Sequence, residues 1–413
     1  MRPNIKLSSS QKGLFSIGAR AFFQINAAVV IAYAASAAPT NLTPNSTPSN
    51  SIPSDTSLRT VVDQPARKKT GVIEAGWNMQ LAGESFADEK QQAQTAGLEL
   101  GGKIRYGLLP SLEMKADAGV ALESGYAQSR FGENTPKNGL DLREALVQYK
   151  PIQRVTISAG AINQAHLNSP LLVSAQAFPG VLERVLLGTK EFNVEVKAQQ
   201  AVPTSSTLST KSVDAEQTPT FMTEGLTARM KLFDRVSFSV FGLHYAFHNL
   251  PSTVAQESEL YGNTVTEITA KQDKFAYDFD GFSYGGGTKV LLTREIAWTL
   301  DGQILTNAKA PDSFNQGQLA SSGLEIGLPG DIDLKPKGEI FFAESDVAPG
   351  FYNGSDRGHN NRTGWAADLS VTFKKAGFLV GGRFVRSDLI NQSLVQSRQS
   401  YIMLRFETLY AIF

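Results

Sequence analysis

The sequence predicts an all-β chain: a transmembrane antiparallel β-barrel of sixteen strands, preceded by an N-terminal signal peptide and a disordered leader. Three observations predict it. Apolar and polar residues alternate with period two from Gly71 onward. Connections between the alternating segments are short and long in turn. Aromatic residues of the apolar face cluster beside the short connections.

Length and composition set the frame. The 413 residues would allow about two to three domains on length alone. Basic and acidic residues tie at 39 each, which argues against nucleic acid as a partner. Glycine is high at 36, against the roughly 7% share usual in proteins. The absence of cysteine removes disulfide scaffolds, thiolate metal sites and cysteine nucleophiles. Outside the N-terminus no window of about 20 apolar residues occurs, so no membrane-spanning helix is expected in the mature chain.

Residues 1–37 read as a signal peptide. Arg2, Lys6, Lys12 and Arg20 make a basic n-region without acids. Ala21 to Ala34 is the apolar stretch, and Ala35-Ser36-Ala37 supplies the small residues of a cleavage site before Ala38. The apolar stretch is short for an uncleaved anchor. Its removal leaves 35 basic against 39 acidic residues, a net charge of −4. Residues 38–69 form a Pro/Ser/Thr-rich leader with Pro39, Pro44, Pro48, Pro53 and Pro65, too poor in apolar residues to offset the entropy of ordering.

Residues 70–413 form the barrel. In one segment Leu98, Leu100, Ile104, Tyr106 and Leu108 alternate with Glu99, Gly101, Lys103, Arg105 and Gly107. Leu112, Met114, Ala116, Ala118, Val120 and Leu122 alternate with Glu113, Lys115, Asp117 and Glu123 in the next. Phe192 to Gln199, Leu226 to Leu232, Asp331 to Phe342 and Trp365 to Lys374 repeat the pattern. A soluble sandwich with one wet face would also alternate, but it has no reason to alternate its loop lengths. Tight turns fall at 109–111, 151–153, 234–235, 293–295, 329–330 and 374–377. Longer polar loops fall near 85–95, 125–138, 203–221, 249–276, 308–316 and 346–361. Tyr106, Tyr149, Trp298, Phe373 and Phe378 sit beside tight turns, where a membrane–water girdle belongs.

Fifteen strands are plain. The up-and-down phase of the tight turns demands one more between 162 and 223, and Val181 to Thr189 supplies it. Read as a short helix, that segment would leave fourteen; eighteen is the other alternative. Sixteen strands give about 21 residues per strand with its connection. The segment from Gln164 to Gly180 becomes the third long loop. Leu167, Leu171, Leu172, Val173 and Phe178 make it less polar than the others, so it could fold inward against the wall.

With signal peptide, sixteen strands, inward third loop and terminal Phe413, the chain resembles Gram-negative general or specific porins. Leu142 to Tyr149 followed by Val155 to Gly160 is similar to the paired strands that precede the constriction loop in porin-like families. The resemblance implies outer-membrane localisation and passive diffusion of small hydrophilic solutes. It also implies a homotrimer among outer-membrane lipids and lipopolysaccharide. The barrel-assembly machinery would read Phe413 as its assembly signal. Phe413 has the parity of Met403, Arg405, Glu407 and Leu409, opposite to the apolar row; a bulge near the end would restore it.

A lipid-facing Lys or Arg at mid-depth costs about 2–4 kcal/mol, so the charged rows are assigned to the lumen. Pore-lining candidates are Glu99, Lys103, Arg105, Glu113, Lys115, Asp117, Glu195, Lys197, Arg229, Lys231, Lys335, Lys337, Glu339 and Arg383. Constriction-loop candidates are Gln164, His166, Asn168, Ser174 and Gln176. Many wall charges would pair across neighbouring strands. With Arg405 and with Asp301, Glu325, Asp331, Asp333, Asp368 and Glu407 on the same rows, ten bases face eleven acids, so weak charge selectivity is expected.

No catalytic, metal or cofactor constellation stands out. His244 and His248 share a strand face without a third ligand, and a polar lumen or rim role suits them better. Asn353, Asp356, Asn360 and Asn361 lack the spacing of a calcium loop. The rival readings are a plugged transporter of a specific or hydrophobic substrate, a barrel enzyme, and a structural or adhesive barrel without conductance.

Overall fold

A computed structural model describes residues 71, 73–89, 91–128, 138–203, 216–267, 273–409 and 411–412. The signal peptide, the leader and Phe413 lie outside the described residues.

Sixteen antiparallel strands form one closed sheet. They are β1 (Ile73–Asp88), β2 (Gln92–Leu109), β3 (Leu112–Gln128), β4 (Gly139–Ile152), β5 (Val155–Asn163), β6 (Ala177–Gly188), β7 (Phe192–Ala201) and β8 (Thr220–Leu232). There follow β9 (Val236–His248), β10 (Phe279–Leu291), β11 (Ile296–Asn307), β12 (Gln316–Leu328), β13 (Ile332–Ala343), β14 (Arg362–Phe373), β15 (Phe378–Leu389) and β16 (Gln399–Thr408). Each strand pairs with its sequence neighbour, and β16 pairs with β1 to close the barrel. Closure removes the exposed sheet edge, so every strand's backbone groups find partners. Among the described residues no helix is long and apolar enough to cross a membrane.

The segment from Val181 is a strand, so the count of sixteen stands over fourteen or eighteen. The tight turns follow local chemistry. In the turn after β8, Phe233 and Asp234 both adopt positive φ, at 50° and 56°, which matches the twist a tight hairpin needs. The first long loop was expected near 85–95, yet β1 and β2 stay paired to the Ala87–Gln92 rung. The polar residues there satisfy the ladder without an apolar row, so alternation alone ended the strands too early.

The apolar row faces outward. Leu100, Ile104, Met114, Val120, Leu122, Phe192, Val196, Leu226, Ile340, Trp365, Leu369, Ile402 and Leu404 are all exposed. Such a surface on a closed barrel suits lipid, not water. Tyr149 is exposed beside its turn, and Phe373 stacks on Phe378 at 4.7 Å across another.

At the C-terminus the ladder slips by one residue. Gln80 pairs with Glu407, whereas Trp77 pairs with Ala411 and Gly76 with Ile412. The Thr408 hydroxyl fills the gap, accepting from the Met79 amide at 2.8 Å. This bulge reverses the parity of the residues that follow it.

His244 and His248 face outward rather than into the lumen. Their neighbours Leu243, Tyr245 and Phe247 take the inward positions and are buried. His244 Nε2 lies 2.9 Å from Asp280 Oδ1 near the long-loop rim.

Candidate functional site

The interior divides into two unlike regions. Along β1–β4 the inward residues are mostly charged, polar or small, and Leu146 is buried against Ile162 and Leu182. Arg143 sits at a bulge, where the register shifts between Asp117 and Ala118 of β3. Gly101 and Gly119 make room for the charge cluster around it: a Cβ at Gly101 would sit 3.3 Å from the Arg143 guanidinium, and one at Gly119 2.7 Å from Glu99 Oε1. Arg143 pairs with Glu99, with Asp117 at 3.7 Å and with Asp141 at 3.0 Å. Lys103 lies 3.3 Å from Asp117, and Arg105 joins Glu113 and, at 3.4 Å, Glu74. The side chains of Lys103 and Arg105 are 36% and 46% exposed, so the wall is solvated around them, while Glu113 beside them is buried.

Other charged candidates line the short-turn half of the opposite wall. Arg229 donates to Glu195 at 2.8 Å and Lys231 lies 2.6 Å from Asp234. Lys289 and Lys335 both approach Glu325, at 2.6 and 3.8 Å. Higher up, Glu339 is clasped by Arg357 at 2.6 Å and Arg383 at 3.2 Å, and Arg383 also meets Asp368 and Asp356. Arg357 comes from the loop after β13 and anchors that loop to the wall. The acids around it push the Arg357 guanidinium up, against the opposing effect of burial. Lys115 of β3 and Lys337 of β13 also lie on the inward rows.

The long-loop half of the lumen along β6–β15 is dry. Leu167, Leu171, Leu172 and Val173 of the third loop, which ends at Gln176 and not at the expected Gly180, pack with Phe178 of β6 against Phe221, Leu243, Tyr245, Phe247, Phe279, Leu305, Leu319, Phe341 and Val385 of the wall. Val347, Ala348 and Tyr352 join from the loop after β13. Val254 joins from the helix α1 (Ser252–Leu260) in the loop after β9. Phe221 stacks on Phe247 at 4.3 Å, and Phe178 meets the Tyr352 ring edge-on at 5.4 Å. Gly317 makes room for this: a Cβ there would sit 3.3 Å from Val347 and 3.4 Å from Leu171.

Polar bonds fix the third loop in place. Asn163 caps its short 3₁₀ turn (Gln164–Leu167) by accepting from the Ala165 amide. Asn168 ends that turn in the left-handed region, at φ 57°. Gln199 of β7 donates to Gln164 at 2.8 Å, and Lys197 donates to the His166 carbonyl at 2.9 Å. Ser169 meets Ser283 of β10 at 3.0 Å and also takes a bond from Gln303 of β11. The Ser174 amide and the Gln176 side chain each donate to the Tyr352 carbonyl at 2.8 Å. The loop thus leans on β7 and β10–β12, up to six strands around the wall from β6. Burial, with the Lys197 charge, pushes the His166 imidazole down to about 3. Burial raises the Asp346 carboxyl despite bonds from Thr264 and Ser345.

Arg143, Asp141, Lys289 and Arg357 escaped the sequence reading, as did the apolar wall and loop residues that cover the third loop; the inward packing of Leu167, Leu171, Leu172, Val173 and Phe178 was expected and is found. A signal existed for Arg143: the apolar parity switches between Leu142 and Ala145, which marks a bulge. Among the described residues no group of three or more His, Asp or Glu could hold a metal.

Neither protein-family profiles nor curated proteins match the chain. Solved structures do. The loop L8 deletion mutant of OmpT, an outer-membrane protein of Vibrio cholerae, is 11% identical with a TM-score of 0.50. The match covers 82% of this chain and 100% of that one. OprB of Pseudomonas putida is 12% identical, also at 0.50, over 83% of this chain and 94% of its own. At such identities the likeness concerns fold alone, and the fold is the sixteen-stranded porin-like barrel.

Proposed function

We propose that this chain is an outer-membrane porin, a water-filled channel for passive diffusion of small hydrophilic solutes and ions. The observation that carries the reading is the solvated, charged inner wall of β1–β4 facing a third loop that leans the other way. Solutes pass between them, so Lys103, Arg105, Lys115 and Arg143 with Glu99, Glu113, Asp117 and Asp141 line the path. Over the whole lumen ten candidate bases face eleven candidate acids, which supports weak charge selectivity. Gln164, His166, Asn168, Ser174 and Gln176 belong to the constricting loop. Export through a cleaved signal at 1–37, a leader at 38–69, assembly through Phe413, contact with lipopolysaccharide and a homotrimeric state complete the proposal.

One observation favours a second reading. The apolar interior along β6–β15 narrows the lumen, as in a plugged transporter or a structural barrel. Single-channel conductance of the purified chain in a planar bilayer, with reversal potential under a salt gradient, decides. Steady openings with near-zero selectivity support the porin. Silence from folded protein rejects it in favour of the second reading.

A further inference from the structure

Where the third loop meets the inward faces of β6–β8, four buried polar atoms lack a hydrogen-bond partner, three on the strands and one on the loop. They are Arg184 Nε, Gln199 Oε1, Thr227 Oγ1 and His166 Nε2. The residues are neighbours by register: Arg184 is paired with Lys197, and Glu195 with Thr227. Lys197 binds the His166 carbonyl from below, and Gln199 is tied to Gln164 beside it. Thr227, Gln199 and Lys197 are only 2%, 5% and 8% exposed. Buried polar groups are almost always satisfied, so four orphans on adjoining residues call for an occupant.

The chemistry of the patch specifies that occupant. Arg184, Lys197 and Arg229 bring three positive charges against one negative charge on Glu195, which Arg229 already engages at 2.8 Å. The surplus favours an anion. His166 donates through Nδ1 to the Asn163 carbonyl at 2.9 Å, which leaves Nε2 as a bare acceptor. Gln199 spends its amide N–H on Gln164, so Oε1 is an acceptor too. Arg184 Nε can only donate, and Thr227 can do either. A fully deprotonated anion would satisfy Arg184 and repel both acceptors.

We propose that this patch is a binding subsite for a small oxyanion bearing its own O–H, of the hydrogen phosphate type, free or as a phosphomonoester with hydroxyl groups. The inference rests on the channel reading only for how the solute arrives. In it, phosphoryl oxygens take bonds from Arg184 and Lys197, and an O–H of the solute donates to His166 Nε2 or Gln199 Oε1.

Calorimetric titration of the folded full-length barrel with inorganic phosphate, glycerol phosphate and sulfate tests it without needing conductance. Saturable binding of either phosphate species supports the subsite, and the tighter one identifies the source. Sulfate, which has the shape but no hydrogen at neutral pH, should bind about tenfold more weakly. Arg184→Gln should weaken phosphate by about tenfold. Thr227→Val, which keeps the shape of a buried residue, should fold and lose less. No phosphate binding by folded wild type, equal affinity for sulfate, or an Arg184→Gln variant that binds as wild type overturns the proposal. Phosphate binding in a chain that shows no KCl conductance would instead sink the channel reading and leave the subsite standing.

Discussion

The walls of β1–β4 and of β7–β14 are built from the same kind of strand, yet their inner faces obey different rules. Along β1–β4 the inward row is charged, glycine-spaced and wet; Arg143 lies across Gly101 and Gly119 to reach Glu99 and Asp117. Along the long-loop half of β7–β14 it is aromatic and dry, because loops fold in and cover it. The outer face is apolar on both. A barrel wall is therefore constrained by lipid on one side only, while its inner side takes the character of whatever fills the lumen beside it.

The largest effect should come from breaking the dry side. Tyr352 is buried, touches Phe178 and Phe247, and donates to the Pro203 carbonyl at 3.2 Å. Tyr352→Ala should cost about 3–5 kcal/mol, read by denaturant unfolding, and should enlarge the conductance as the loops loosen. An unchanged conductance would mean that the apolar interior does not bound the path. Overfilling the same region should cost less. Gly317→Val has no space beside Val347 and Leu171, and a loss of about 1–3 kcal/mol is expected.

Much of this molecule was legible in its sequence. The strands, their outward face and the even count followed from alternation, because a charge in lipid is penalised at every rung. The inner side was legible where it stayed wet, as at Lys103 and Asp117, and in the third loop, whose Leu171 and Leu172 are too apolar to lie in water. In β9 both rows are apolar, Phe241, Leu243, Tyr245 and Phe247 against Val240 and Ala246. A period-two reading takes one such row for lipid and has no rule for the other. What covers the second row comes from Leu171, Val254 and Val347, which are distant in sequence and held in loops without periodicity.

Acid separates the two sides next. His166 is neutral in the fold, lowered to about 3 by burial and by Lys197 and Arg184, against the Asn163 carbonyl and Glu195, which favour its charged form. Unfolded, it titrates near 6.5. Between those values the unfolded chain binds more protons, so this residue's contribution to stability falls as pH falls, by at most about 1.4 kcal/mol per pH unit. Melting temperature should therefore drop more steeply on acidification in wild type than in His166→Gln. Parallel curves would show that the third loop releases His166 to water before it protonates.

The smallest effect on stability should accompany the clearest effect on transport. Lys103 on the wet wall is one-third exposed and 3.3 Å from Asp117, where solvent screens the pair. Lys103→Glu should cost under about 1 kcal/mol. It nevertheless replaces a positive charge with a negative one beside Glu99, Glu113 and Asp117, so the wall becomes more acidic there. If solutes travel along β1–β4, the reversal potential under a salt gradient must move towards cation preference. The equivalent reversal at Lys374, paired with Asp333 at 2.8 Å near the short-turn end of β14, serves as the control on the other wall. A larger shift from Lys374→Glu than from Lys103→Glu would place the narrowest part of the path on the opposite side and undo the assignment of the wet wall.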